Sequence, residues 1–351
     1  MWHDEVSLHS VKDVRTGQTL GYFFMDLHPR DGKYGHAAMW NLQSGSLDRH
    51  GGRMKAVAAM VCNFPRSTAT KPALMYHRQV QTLFHEFGHV MHGLVSRTNI
   101  STFYGTSVES DFVEAPSQML ENWVWQKESL KLMSGHYKDN SSIPDDLLKK
   151  LVKSKSANEG GKSLRQMFFG TFDLAIHTRA EADTIDMSNH IYQDLLGIER
   201  INGTNIGANL GHLGETRLDS ERLGLMKIFL VGYDAGYYGY MWSLVFAQDM
   251  FDSRFGVEGV LNPDTGMDYR NMILGPGHNL APSCSVFYKA MFRRICGCDG
   301  NVDKLLGKRT QPKGLPQEQG LGGSLTELDK VQKLFMFLFE IYLSISVICI
   351  I

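Results

Sequence analysis

An excess of charge of either sign is missing from this chain. Its 36 lysines and arginines nearly cancel its 37 aspartates and glutamates, leaving a net charge of −1. That balance argues against a nucleic-acid or polyanion partner, which would call for a basic surface. Cysteine is scarce, with only Cys62, Cys284, Cys296, Cys298 and Cys349. An odd, sparse set excludes a disulfide framework and suggests reduced thiols in a cytosol-like compartment. A cytoplasmic location is therefore expected, with the mitochondrial intermembrane space as the alternative. Cys296-Gly297-Cys298 lacks the two-residue spacer of common metal or redox pairs and has no second pair, so it is assigned no function. The start, Met1-Trp2-His3-Asp4-Glu5, lacks the basic segment and apolar run of a signal peptide. Internal repeats are absent too. Only the tail, residues 334–351 (LFMFLFEIYLSISVICII), is apolar enough to suggest a bilayer, but it contains Glu340 and nothing polar follows it. A buried or aggregation-prone segment is expected there rather than a membrane anchor.

What remains is a globular composition, 43% hydrophobic and 21% charged, on a chain of 351 residues. That is enough for one large or two ordinary domains. Residues 1–64 read as mainly β, with strands expected at 6–9, 19–27 and 55–64 between turn signals such as Arg15-Thr16-Gly17 and Arg30-Asp31-Gly32. Residues 54–62, rich in alanine and methionine, also admit a helix. From Pro72 the pattern turns helical, with helices expected at 75–95, 112–132, 144–155, 164–182 and 190–196. Residues 158–163 (NEGGKS) resemble part of a phosphate loop, but Ser156 stands where a Walker loop needs glycine.

The most informative stretch is residues 84–93, FHEFGHVMHG, which contains the H-E-x-x-H pentad from His85 to His89. On a helix, His85 and His89 lie one turn apart and point the same way. Two such imidazoles can hold one zinc ion, and Glu86 can reach a water on it. The competing reading is two partly buried, hydrogen-bonded histidines. Gly88 costs a helix about 1 kcal/mol relative to alanine, which suggests that something close by needs the room. His92 lies too far from His85, about 10 Å along the axis, for both to bind one ion.

Catalytic zinc takes three protein ligands and an open position. The extended H-E-x-x-H-x-x-G-x-x-H pattern fails here, so the third ligand is expected from a second helix. Glu114, in DFVEAPS, is the candidate, with Glu109 and Glu121 as second choices. A capping box, with Asp111 as N-cap and Glu114 folded back on it, is the rival reading, and spacing alone leaves the two open. Residues 232–240 (GYDAGYYGY) offer phenols on a glycine-hinged loop that can swing over a substrate, or else an aromatic turn packed on the core.

Residues 84–92, 111–125 (DFVEAPSQMLENWVW), 211–213 (GHL) and 233–242 (YDAGYYGYMW) closely resemble the thimet oligopeptidase and neurolysin family of zinc metallopeptidases. The resemblance covers most of residues 1–275. It implies a mainly α, zincin-like metallopeptidase catalytic domain with a small β-sheet near the N-terminus. Cleavage of short peptides in a deep channel is implied as well. The chain is expected to be a monomer with no nucleic-acid or membrane partner. It implies one zinc held by His85, His89 and Glu114, and Glu86 as the catalytic glutamate. His212, Tyr237 and Tyr240 match its catalytic groups, and Tyr233 a substrate-binding one.

Three departures qualify the match. Family members are much longer at the N-terminus, so this chain is expected to correspond to their C-terminal catalytic half. Residues 214–231 (GETRLDSERLGLMKIFLV) intervene between the glycine-histidine-leucine and the tyrosines. After residue 277 the resemblance is lost, with a brief return at 322–325, so residues 276–351 are read as a divergent tail. Such breaks would suit a splice form, and the alternative function is a zinc-binding fragment that binds peptides or partners without turnover.

Overall fold

The alternation near the N-terminus builds a four-stranded sheet. The structure is a computed structural model that describes residues 1–199, 204, 206–207 and 235–277. Strands β1 (Ser7–Lys12), β2 (Thr19–Asp26), β3 (Ala38–Gln43) and β4 (Ala56–Val61) lie in the order β1-β2-β4-β3. β1 and β3 form the edges and run antiparallel to their neighbours, whereas β2 and β4 are parallel. Sequence reading missed β3, whose side chains are mostly exposed. The alanine- and methionine-rich segment is the central strand β4, not a helix. Its small side chains Ala56, Ala58 and Ala59 are buried, so a helix can lie close above.

That helix is α1 (His77–Val95). Val90 and Leu94, with Leu83 and Phe87 at the margin, pack on Phe23, Ala58, Met60 and Cys62 of the sheet. The helix expected over 112–132 is divided. α2 (Ala115–Leu120) passes into a 3₁₀ turn (Glu121–Trp125), Gln126 leaves helical geometry at φ −91 and ψ 132, and α3 (Lys127–Met133) follows. Tertiary contacts explain the break. Trp123 donates its Nε1–H to the Val260 carbonyl at 2.9 Å and stacks edge-on against Phe251 and Phe255.

α4 (Asp145–Ser154) and α5 (Glu159–His177) follow, and residues 158–163 form the start of α5 rather than a phosphate loop. α6 (Thr184–Leu196) begins earlier than expected, because Asp183 caps it by accepting from the Ile185 and Asp186 amides. It ends at Gly197, whose φ of 67 suits glycine. α7 (Gly239–Met250) continues through a π turn (Phe251–Phe255), and α8 (Pro263–Tyr269) through another (Arg270–Leu274). Phe112, Ala115 and Met119 pack with Phe246, Phe251, Ile273 and Leu274 in one core, and α5 packs with α6 in another. The described residues are thus helix-rich with one small sheet at the N-terminal end. No helix among them is long and apolar enough to cross a membrane. The tail at 334–351 and four of the five cysteines lie outside the described residues, while Cys62 is a buried free thiol.

Asp26 closes the end of β2. Its carboxylate accepts from Arg30 at 2.7 and 2.8 Å and from Trp2 Nε1 at 2.9 Å, and pairs with Lys33 Nζ at 2.9 Å. The Arg30 hydrogen bonds hold it well below the usual carboxylate range against the cost of burial. Asp26→Ala should destabilise the chain by about 3 kcal/mol in urea titration, because Lys33 would stay buried without its counter-charge. A depressed folded pKa means that Asp26's stabilisation is complete above about 3.9 and lost as the pH falls below it. The wild-type and Asp26→Ala proteins should therefore converge in stability under acid.

Candidate metal centre

The middle of α1 carries the pentad, with Glu86 and Gly88 buried and the two imidazoles partly open. Glu114 stands just before α2, with φ −85 and ψ −10, and makes no capping box. Instead its Oε2 lies 3.2 Å from His85 Nε2 and 3.1 Å from His89 Nε2. Donors on a tetrahedral ion with bonds of about 2.1 Å stand roughly 3.4 Å apart, so these three atoms suit a single metal ion. All three lie within 4.8 Å of one another. Ser117 Oγ donates to the same Oε2 at 2.8 Å and fixes its direction.

Glu121 stands outside that cluster, on the other nitrogen of His85. Its Oε1 is 2.7 Å from His85 Nδ1, and Gln81 holds its other oxygen. A proton on Nδ1 leaves the Nε2 lone pair facing the ion. Spacing carried a signal for this: Glu121 follows Glu114 by two helical turns. Glu109 belongs to the turn before α2, where its carbonyl accepts from the Phe112 and Val113 amides.

The electrostatics suit a cation. Burial opposes a charged His85 ring, but Glu114 and Glu121 on its two nitrogens outweigh that and raise its pKa to about 10. Burial also opposes the Glu114 charge, yet His89 and His85 hold its carboxyl well below the ordinary range. The pocket thus retains a proton that an incoming ion must displace. Glu86 is 6% exposed, and burial pushes its carboxyl up against the pull of His85, His89 and a backbone hydrogen bond from Met39 in β3. His92 is fully buried, its pKa pushed down to about 3 by desolvation, with neither ring nitrogen hydrogen-bonded among the described residues. It is a neutral core histidine.

Of the other expected groups, His212 and Tyr233 lie outside the described residues. Tyr237 is 7% exposed, donates to Gln166 Oε1 at 3.2 Å, and packs edge-on against Phe169 of α5. Tyr240 is half-buried, its ring centroid 5.1 Å from that of Tyr237, and its carbonyl accepts from Gln118 of α2 at 2.9 Å. The tyrosine segment therefore bridges α5 and the helix that Glu114 opens.

Gly88 explains how α1 and α2 come so close. A Cβ there would stand 2.6 Å from Ser117 Cα and 2.9 Å from the Pro116 carbonyl oxygen. Only glycine allows that approach, and the approach brings Glu114 to the histidines.

Two histidines one helical turn apart, a carboxylate from the neighbouring helix and a buried glutamate between them thus meet in one cluster that could hold a metal ion. A sequence model of Peptidase family M3 matches residues 1–308, and the chain belongs to that family. It is 42% identical over 282 residues to a thimet-like oligopeptidase of Dictyostelium discoideum, covering 79% of this chain and 39% of the relative. It is 40% identical over 284 residues to saccharolysin of Saccharomyces cerevisiae, covering 79% and 38%. With oligopeptidase A of Escherichia coli it shares 34% identity over 307 residues, 87% of this chain and 42% of that one. The chain spans about two fifths of the length of these curated relatives.

Two substitutions test the centre. Gly88→Ala adds about 1 kcal/mol of helix propensity, yet it should weaken metal binding, because α2 must retreat and Glu114 with it. Competition against a fluorescent chelator, read beside helical content by circular dichroism, checks this. Glu121→Gln should lower metal affinity by about 10- to 100-fold, by the same titration, while Glu114 remains in place.

Proposed function

We propose that the chain is the catalytic region of a zinc-dependent endopeptidase of zincin-like fold that hydrolyses short peptides. The observation that carries this reading is the convergence of His85 Nε2, His89 Nε2 and Glu114 Oε2 beside the buried Glu86. Two imidazoles and a carboxylate with one position open form a donor set of catalytic zinc rather than of a closed structural site. Bound there, zinc supplies a Lewis acid that acidifies a water and polarises the scissile carbonyl.

The rest is work for the chain's own groups. Glu86, its proton affinity raised by burial, takes the proton of the attacking water and returns it to the leaving amine. Its hydrogen bond from Met39 sets it against β3, an edge strand on which an extended peptide backbone can pair. Tyr240 and His212 donate to the oxyanion, Tyr237 does so once its hydroxyl leaves Gln166, and Tyr233 holds the substrate. Residues 1–275 form the catalytic region. The names of two relatives, thimet-like oligopeptidase and oligopeptidase A, support short peptides as the substrate class. The chain acts as a monomer in the cytoplasm.

The test is a quenched short peptide incubated with the zinc-loaded chain. Glu86→Gln should lower kcat by at least about 100-fold while keeping one equivalent of zinc. Glu114→Ala should lose the zinc itself. Zinc binding without any cleavage by the wild-type chain would overturn the peptidase reading in favour of a peptide-binding role.

A further inference from the structure

Asp173 is completely buried in α5, far in sequence from the metal ligands, and its carboxylate is spent on a distant backbone. Oδ1 accepts from the Ala235 amide at 3.0 Å and Oδ2 from the Tyr237 amide at 2.9 Å. Two amides with one residue between them that converge on one carboxylate form a nest. The residue at its corner, Ala235, has φ 56, the left-handed conformation that L-residues with a side chain avoid. Something must hold that turn, and the carboxylate does. His177, one turn along α5, places Nδ1 2.9 Å from the Asp173 carbonyl oxygen and 2.8 Å from Oδ1.

The segment so held has little slack. Tyr237 donates its hydroxyl to Gln166 and packs on Phe169, both on α5. Immediately beyond, Gly239 lies against Ser110 and Asp111, Tyr238 donates its hydroxyl to Asp111 at 3.2 Å, and Ser243 donates to the Asp111 carbonyl at 2.7 Å. Residues 235–243 are thus pinned to α5 at one end and to the entrance of α2 at the other.

We propose that Asp173 is a positioning residue: by clamping the Ala235–Tyr237 turn, it sets where Tyr237 and Tyr240 stand relative to the metal centre. The proposal rests on the peptidase reading for its catalytic consequence, and on the carboxylate–amide geometry for the clamp. Asn in place of Asp173 keeps the shape but removes the charge and one acceptor. The carbonyl of the amide can serve one backbone N–H, and its NH₂ faces the other.

The experiment uses the zinc-loaded chain throughout. Asp173→Asn should accelerate hydrogen exchange at the amides of residues 235–240 while leaving those of α1 and the zinc content unchanged. It should lower kcat by roughly tenfold or more with a small change in KM. Its effect should be non-additive with Tyr237→Phe, because the two act as a unit. A loss that adds fully to that of Tyr237→Phe, or unchanged exchange at 235–240, overturns the proposal. So does accelerated exchange with kcat intact. His177→Ala, at a partly exposed position, covers the case in which Asp173→Asn does not fold. The same changes at smaller size are expected, and their absence overturns the proposal. If the wild-type chain binds zinc and cleaves nothing, the peptidase reading fails, and exchange at 235–240 alone decides for or against the clamp.

Discussion

The contact between α1 and α2 at Gly88 is the constraint on which the centre depends. α1 is held from below by the sheet, where Val90 and Leu94 meet Phe23, Ala58 and Met60. α2 is held from above by Phe246 and Phe251 through Ala115 and Met119. These two cores press the helices together, and the missing side chain at residue 88 lets backbone meet backbone. Burial of apolar surface thus supplies the force, and glycine supplies the clearance. The result is a carboxylate about as far from two imidazoles as one tetrahedral ion requires.

The electrostatic cost of this arrangement is a second layer of the same argument. Burial disfavours the charge on both Glu86 and Glu114, and the two histidines overcome that cost at Glu114 but not at Glu86. Glu114 on Nε2 and Glu121 on Nδ1 both favour a charged His85 ring against the cost of its burial. A divalent cation held by His85, His89 and Glu114 would take the place of the proton at Nε2 and leave the Nδ1–Glu121 hydrogen bond intact. The centre is therefore built from groups that are uncomfortable alone, which is the expected signature of a functional rather than a structural cluster.

Much of this was legible in the residues, and the reasons differ from part to part. The pentad and the helix around it follow from local spacing, since a helical period places His85 and His89 together wherever the helix sits. Gly88 was readable as a demand for room, because a glycine inside a helix needs a cause outside it. That Glu114 would stand at the two histidines was not readable from spacing, which left a capping box equally open, and only the family resemblance implied it. β3 went unseen because a mostly exposed edge strand has no buried face to impose alternation. The division of the 112–132 helix was invisible for the opposite reason: its cause is a tryptophan reaching residues more than a hundred positions away. Asp173 gave no sign at all, since a carboxylate in the middle of a helix reads as solvated until its distant amides are seen.

The same device recurs at the other side of α2. Gly239 opens α7 against the backbone of Ser110 and Asp111, where a side chain would meet the Ser110 carbonyl at 3.0 Å. α2 is therefore gripped near its start by two glycine-mediated contacts, one from the histidine-bearing helix and one from the tyrosine-bearing segment. Ser243, Tyr238 and Gln118 add hydrogen bonds across the second contact, and Ser117 adds one within the first. Glu114, the carboxylate of the candidate metal cluster, lies between those two contacts. Any movement that carried the tyrosines away from α2 would have to break bonds to the residues flanking Glu114, and any movement of Glu114 would be felt at Tyr240. Histidines, carboxylate and phenols come from three separate stretches of the chain, yet the packing leaves them few independent ways to move. A centre whose chemistry needs several groups at once gains from that coupling, because a reacting atom is stabilised only by donors already in place when charge develops.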